Sequence, residues 1–201
     1  MAGRYAGFDP ISNVRAKKMS IRSEQSNTPY IGGLIGFSDA ASMTIQKSSF
    51  EGHITHHATG EYVGGFLGKG NSGMNLYIKE SFSNGVIDIS ASSGSYNGGM
   101  VGYMTGPATI ENSYSEMSIG RTMNFNSTGS GVIGGLIGYS SGSVNLTNAF
   151  YYGSIMLPCN DGTATYCSIN TLAAGATGTN YYGSLLNLSL IHISEPTRPL
   201  Y

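Results

Sequence analysis

The sequence predicts an all-β fold, a parallel β-helix (β-solenoid) of about four rungs, each 32-36 residues long. Two observations predict it: a glycine-rich apolar phrase recurs four times at a nearly constant interval, and short runs alternate apolar with polar residues. A third observation excludes helices. Glycine, serine, asparagine and threonine are so closely spaced that no amphipathic stripe can be placed, and each glycine inside a helix would cost about 1 kcal/mol.

A glycine-broken apolar phrase defines the repeat. It reads "YIGGLIGF", "YVGGFLGK", "YNGGMVGY" and "VIGGLIGY", and its double glycine recurs at steps of 32, 34 and 36 residues. The four rungs therefore start near residues 30, 62, 96 and 132. Successive rungs of a solenoid stack at the strand spacing of roughly 4.8 Å, so equivalent residues should lie above one another. The structural glycines are Gly32, Gly33, Gly64, Gly65, Gly98, Gly99, Gly134 and Gly135.

Each phrase is followed by an aromatic residue in a second shared setting: "IQKSSFEGHI", "IKESFSNGVI", "IENSYSEMSI" and "LTNAFYYGSI". Inward positions of stacked rungs form ladders, so we expect like residues to contact one another inside the coil. The expected aromatic ladder is Phe50, Phe82, Tyr114 and Phe150. A second inward ladder is expected from Leu34, Phe66, Met100 and Leu136. A further ladder, before the corner, is expected from Tyr30, Tyr62, Tyr96 and Tyr181, with an interruption at Val132.

The alternating runs "SMTIQ", "NLYIK", "GVIDIS" and "SVNLT" predict strands with one buried face. The double glycine should mark the corner between strands. There the backbone either adopts a positive φ or approaches another wall too closely for a Cβ atom. One rung cannot bury its own apolar face, which is why the phrase must recur.

The charge of the chain is nearly balanced, with 10 basic and 11 acidic residues and a formal net charge of -1. This gives no electrostatic footprint for nucleic acid or for an anionic membrane. No apolar run approaches the roughly 18 residues of a membrane span. The first residues lack the order of a secretory signal, so we expect that the protein stays inside the cell or that its true beginning is missing.

The quoted phrases, "GGLIG" followed by "I-x-x-S-[FY]" and "G-x-I", resemble the GLUG repeat of long bacterial surface proteins over residues 30 to 155. The resemblance implies a structural or adhesive region of a secreted or cell-surface bacterial protein, acting as a stalk or as a multivalent surface for host glycans or surface proteins. Two alternatives stay open. One is a polysaccharide-active β-helix enzyme, a lyase or hydrolase, and the other is the non-catalytic stalk of an immunoglobulin A-type metallopeptidase.

The repeat also divides the chain. We expect residues 1-29 to be a partial preceding repeat, residues 30-180 the four full repeats, and residues 181-187 the start of a fifth, so that the chain is a fragment of a longer array. The stretch "LSLIHISEPTR" near the end resembles the translation of a transposase-type sequencing adapter. We therefore expect residues 188-201 to be a non-native tail.

Candidate chemistry is sparse. The segment "GHITHH" with Glu61 is the most ligand-like cluster; on a strand, His53 and His57 would share the outer face. Zinc needs a third protein ligand, so we expect solvated surface and no metal site. Carboxylates fall at different phases of the repeat, and only Glu80 and Glu111 are approximately cognate. We predict no catalytic residues, no enzyme activity and no cofactor.

Two cysteines, Cys159 and Cys167, lie within "CNDGTATYC". Their spacing suits a disulfide-closed loop in an oxidising compartment, with two unpaired thiols as the alternative. The loop from 156 to 180 that holds them is the one non-repeated segment. Specificity for a partner is expected there.

Overall fold

The computed structural model is a β-solenoid in which the chain winds about four times through three parallel sheets. The structure describes residues 3–7, 9–24, 30–57, 61–89, 95–120, 131–156, 167–170 and 181–183. Within these ranges there is no helix, and every strand pair is parallel. The predicted fold class is confirmed. The adapter-like tail, 188–201, and Cys159 lie outside the described residues, as does the Cys167 side chain.

The strands follow one another in a regular order along the chain. They are β1 (Arg4–Tyr5), β2 (Ile11–Ser12), β3 (Arg15–Ser23), β4 (Tyr30–Gly32), β5 (Ile35–Ser38), β6 (Ser42–Gln46), β7 (Ser49–His56), β8 (Tyr62–Gly64), β9 (Leu67–Gly70), β10 (Asn75–Lys79), β11 (Phe82–Ile89), β12 (Tyr96–Gly98), β13 (Val101–Met104), β14 (Ala108–Gly120), β15 (Gly131–Gly134), β16 (Ile137–Ser140), β17 (Val144–Tyr151), β18 (Ile155–Met156), β19 (Cys167–Asn170) and β20 (Tyr181–Gly183). Sheet 1 contains β4, β8, β12, β15 and β19, sheet 2 contains β1, β5, β9, β13 and β16, and sheet 3 contains the other ten strands.

Two isoleucine positions anchor sheet 3 and place its inner face against the core. The first row is Ile45, Ile78, Ile110 and Leu146, and the second is Ile54, Ile87, Ile119 and Ile155; each row is in register. All but Ile155 are almost fully buried. The predicted row of Leu34, Phe66, Met100 and Leu136 also stacks, with Leu34 only partly buried. The core is therefore a set of apolar ladders along the solenoid axis.

The double glycine is required because backbone segments approach each other closely at this corner. A Cβ atom on Gly32 would overlap the Ile35 carbonyl, and one on Gly33, Gly65 or Gly99 would overlap the carbonyl of the equivalent glycine one rung further on. None of these glycines has a positive φ. Of the two explanations for the corner, the second is therefore correct. Backbone from successive rungs meets here without room for a side chain.

The predicted aromatic ladder is wrong at its first member. Phe82, Tyr114 and Phe150 are in register, but Phe82 lies beside Ser49, and Phe50 lies beside Ser83. Because successive strand residues face opposite sides, Phe50 points into the core and is fully buried. The other three rings lie on the outer face and are partly exposed, so the expectation that they pack inside the coil is wrong as well.

The anchoring isoleucines explain the error. Ile45 and Ile54 are nine residues apart, as are the corresponding pairs in the other three rungs, so no residue is inserted or deleted between them. Phe50 occupies a neighbouring position within an unchanged register. Its ring fills the space above Gly33, which Ser83 and Ser115 occupy above the glycines of the next two rungs.

A left-handed residue recurs in sheet 3 in every rung; it separates β2 from β3, β6 from β7 and β10 from β11, and lies within β14 and β17. The residues concerned are Asn13, Lys47, Glu80, Asn112 and Asn148, whose φ angles lie between 47° and 58°. Such a conformation is disfavoured for residues other than glycine, although asparagine tolerates it. It also interrupts the ladder of backbone hydrogen bonds. A side-chain partner must therefore replace the missing contact.

Buried serine hydroxyls provide that partner. Ser48, Ser81 and Ser113 each donate to the carbonyl two residues earlier, at 2.7 to 2.8 Å. The Ser81 hydroxyl also accepts the Ser48 N–H at 3.1 Å, and the Ser113 hydroxyl accepts the Ser81 N–H at 3.1 Å. This serine ladder ends in the fourth rung, where Ala149 takes the position. It gives the serine of "S-[FY]" a structural role.

The tyrosine ladder of sheet 1 is correct for three members and wrong for the fourth. Tyr30, Tyr62, Tyr96 and Val132 are in register. Val132 is followed in the next rung by Ser168, whereas Tyr181 pairs with Asn145 in sheet 3. Residues 167–170 have thus already begun another turn of sheet 1 before Tyr181 is reached.

The register of the two phenylalanines predicts unequal costs of truncation. We expect Phe50→Ala to lower the free energy of unfolding by about 3 to 5 kcal/mol, because it leaves a cavity in the core. Phe82→Ala should cost about 1 kcal/mol, since its ring is only partly buried. Urea unfolding followed by circular dichroism measures both. Equal losses would contradict the register.

Candidate functional site

The main surface feature is a band of side chains where sheets 1 and 2 meet, which we call the aromatic band. Sheet 1 contributes Tyr30, Tyr62, Tyr96 and Val132, and sheet 2 contributes Phe37, Lys69, Tyr103 and Tyr139. All eight side chains are partly exposed. They form two adjacent rows parallel to the solenoid axis. Six of the eight are aromatic.

The rings of the two rows contact one another continuously. Tyr62 and Tyr96 stack at 5.5 Å and 3°, and Tyr103 and Tyr139 stack at 5.0 Å and 8°. Between the rows the contacts are edge-on, as between Tyr62 and Tyr103 at 4.9 Å and 65°. Both geometries are favourable for aromatic pairs. Every ring of the band except Phe37 thus has ring neighbours both within its row and across the band, whereas Phe37 contacts Tyr30 across the band.

The third glycine of "GGLIG" brings the two rows together. A Cβ atom on Gly68 would lie 2.6 Å from the Ile31 nitrogen, and one on Gly102 would lie 2.6 Å from the Val63 nitrogen. A strand of sheet 2 therefore contacts the backbone of a sheet 1 strand from the preceding rung. A side chain at this glycine would separate the sheets and with them the two rows of rings.

Lys69 adds a positive charge to the band. Its Nζ atom lies 5.0 Å from the centroid of Tyr30, 4.9 Å from that of Tyr62 and 5.5 Å from that of Tyr103. Contacts of this length are attractive cation–π interactions. The ammonium group is thereby fixed among three rings.

Two phenols of the band, those of Tyr62 and Tyr103, resist ionisation. Burial raises the pKa of Tyr62 above its ordinary value of 10.0, and the neighbouring Tyr96 and Tyr30 raise it further. Burial also raises the pKa of Tyr103, with additional effects from Tyr139, Tyr62 and Tyr96. Tyr62 and Tyr103 therefore present neutral hydroxyl groups across the physiological pH range.

Half of the band could be found from the sequence. The row of Tyr30, Tyr62 and Tyr96 was predicted, whereas the row of sheet 2 was not. Its signal is a fixed offset: Phe37, Lys69, Tyr103 and Tyr139 each follow the corresponding sheet 1 residue by seven positions. The lysine at one of these positions obscures the pattern.

The cluster of "GHITHH" and Glu61 contains a buried polar network. The His56 imidazole and the Glu61 carboxylate are both fully buried and in direct contact through Nδ1 and Oε2. His56 Nε2 lies 3.0 Å from Asn97 Oδ1, and the Ser23 hydroxyl donates to Glu61 Oε1 at 2.9 Å. The network links four successive turns of the solenoid. The alternation along the strand places His56 on the same face as the buried Ile54, but no pattern in the sequence pairs His56 with Glu61.

The remaining predicted candidates lie apart on the surface. His53 and His57 are exposed on the outer side. Among the described residues, no three His, Cys, Asp or Glu side chains converge as metal ligands would. Glu80 and Glu111 are not cognate, because Lys79 is the residue in register with Glu111. Glu80 is paired instead with Lys47 and Glu111 with Lys79.

Comparison with known proteins gives no assignment. No protein-family model matches the chain, and no curated protein or solved structure is significantly similar to it. The resemblance to the GLUG repeat therefore stays a prediction from the quoted motifs. Within the described ranges, no helix is of a kind that could cross a bilayer.

The buried network predicts that the stability of the fold depends on keeping its polar side chains paired. We expect His56→Ile alone to cost about 3 to 5 kcal/mol of stability, because the Glu61 carboxylate loses its buried partner. The triple variant His56→Ile, Glu61→Ser, Asn97→Val copies residues at these positions in neighbouring rungs, where Ile89, Ser95 and Val63 occur. It should recover most of the loss in urea unfolding. A triple variant as unstable as the single one would contradict the pairing.

The aromatic band predicts a loss of stability in strong alkali. Because the folded-state pKa values of Tyr62 and Tyr103 lie above the unfolded value of 10.0, their contribution is complete below pH 10 and is lost as the pH rises through the folded values. We expect the melting temperature to fall as the pH rises above 10, and to fall less in Tyr62→Phe, Tyr103→Phe. Tyr77→Phe, on sheet 3, is the control. An unchanged slope in the double variant would contradict the assignment.

Proposed function

We propose that this chain is a structural and adhesive repeat region of a secreted or cell-surface bacterial protein. In this role it acts as a rigid stalk whose side presents a multivalent binding surface. The role, the bacterial source and the location follow the resemblance to the GLUG repeat. The host glycans and surface proteins expected as partners follow it too.

The aromatic band is the observation that supports an adhesive role. Monomeric proteins rarely leave a continuous row of rings accessible unless it contacts a partner. Flat rings with neutral hydroxyl groups suit the C–H faces and hydroxyls of pyranose sugars, which combine apolar and polar surface in the same way. Since the rings recur at the strand spacing, a long glycan could contact several at once. Weak contacts then combine into useful avidity.

The solenoid backbone supports the role of a stalk. Parallel strand pairs run through all three sheets, so neighbouring rungs are joined by backbone hydrogen bonds on three sides. Such an array is effectively one-dimensional, and its length grows with the number of rungs. A surface built on it keeps its ring spacing as the array lengthens.

The proposal predicts that binding depends on the band. We expect the protein to bind soluble mannan, xylan or mucin in isothermal titration calorimetry. Tyr96→Ala, Tyr103→Ala should weaken that binding at least about tenfold, which corresponds to about 1.4 kcal/mol. The control is Tyr77→Ala, because Tyr77 is an exposed ring outside the band. It should bind like the wild type.

Two outcomes would count against the adhesive role. If the intact protein binds none of the three polysaccharides, the adhesive role is contradicted and only the role of a stalk is retained. If the double variant binds as tightly as the wild type, the binding surface lies outside the aromatic band. Circular dichroism of each variant checks that the solenoid is retained.

A further inference from the structure

A cleft of about 440 Å³ opens on the outer face of sheet 3, away from the aromatic band. It crosses three successive rungs. Its chemistry comes from three basic side chains, two acidic ones and one aromatic ring: Arg15, Lys17, Lys47, Glu51, Glu80 and Phe82. A volume of this size lies in the range of small-molecule sites.

The cleft exists because the first rung departs from the repeat. The outer row of sheet 3 runs through Arg15, Ser49, Phe82, Tyr114 and Phe150. Since Phe50 points inward, the small Ser49 takes the place of an aromatic ring in this row. Phe82 stacks on Tyr114 at 5.2 Å and 6°, and the side of Phe82 toward Ser49 borders the cleft.

The charges around this ring are unequal. Lys17 lies 3.4 Å from Glu51, and Lys47 lies 3.9 Å from Glu80. Arg15 forms no ion pair with a carboxylate of the described residues. The cleft therefore has one positive charge in excess, and its guanidinium group is available to a ligand. Arginine binds carboxylates with two parallel hydrogen bonds.

We propose that this cleft binds an acidic pyranose, a uronic acid unit of an anionic polysaccharide. The apolar face of the sugar packs on Phe82, and its carboxylate accepts hydrogen bonds from Arg15. Glu51 and Glu80 accept hydrogen bonds from the sugar hydroxyls. Lys17 and Lys47 keep the potential of the cleft positive beside these carboxylates. The site names a ligand class within the proposed adhesive function, but it lies on a different surface from the band.

The test uses galacturonic acid trisaccharide as the probe, with galactose trisaccharide as its neutral counterpart and a sulfated galactose trisaccharide as the second anion. In the band variant Tyr96→Ala, Tyr103→Ala, which lacks the proposed binding surface for neutral sugars, calorimetry at low salt should show binding of the uronate and none of the neutral sugar. Arg15→Gln and Phe82→Leu should each weaken it at least about tenfold. Added salt should weaken it as well, because the contact is partly exposed.

A matched control separates the cleft from general surface charge. Lys79→Gln removes the same charge from the same sheet, where Lys79 pairs with Glu111 at 3.1 Å outside the cleft. It should bind the uronate like the wild type. Because Arg15 is exposed, its replacement should leave the fold intact, as circular dichroism can verify.

The inference is overturned if the uronate does not bind, if the neutral and acidic sugars bind equally, or if Arg15→Gln binds as tightly as the wild type. Binding of the sulfated sugar alone would overturn the assignment to a uronic acid. The band variant Tyr96→Ala, Tyr103→Ala should retain uronate binding. Failure of the cleft and failure of the aromatic band are therefore distinguishable.

Discussion

Parallel register between successive rungs is the constraint on which the rest of this molecule depends. Every strand lies beside its counterpart from the next rung, so each side chain is placed by a residue thirty-odd positions away. Because of this placement, isoleucines from successive rungs form buried rows, and tyrosines from successive rungs form the partly exposed aromatic band. The close approach at the double glycine maintains it, because a Cβ atom there would overlap a neighbouring carbonyl. Burial, ring stacking and surface chemistry all follow from that alignment.

Much of the architecture could be predicted from the sequence because the repeat signals are local. The phrase around Gly32 and Gly33, and the alternation in "SMTIQ", identify strands, corners and the period without reference to contacts elsewhere. The role of the serine ladder could not be recognised in the same way. Ser48 and Ser81 look like ordinary surface residues until the left-handed turn beside them shows which backbone groups need a partner.

The aromatic residues show where pattern reasoning fails. The alignment of Phe50 with Phe82 rests on the most conspicuous side chain in each repeat. The constant nine-residue spacing of the isoleucine rows instead places Ser49 beside Phe82, one residue before Phe50. A shift of one residue on a strand exchanges inside for outside. That single exchange fills the core above Gly33 and opens the cleft beside Phe82. The partner of His56 was equally hidden, because Glu61 approaches it only when the chain turns into sheet 1.

The buried network of His56, Glu61, Asn97 and Ser23 has a consequence for how the chain assembles. Repeats that are nearly interchangeable can dock out of order, with one coil skipped or a copy from another molecule taken in its place. The buried Glu61 carboxylate is stable only in the stacking arrangement that places the His56 imidazole beside it. This irregular cluster distinguishes its turns from those with Ile89 and Ser95 at the same positions. The cluster therefore favours one stacking order among coils that are otherwise similar.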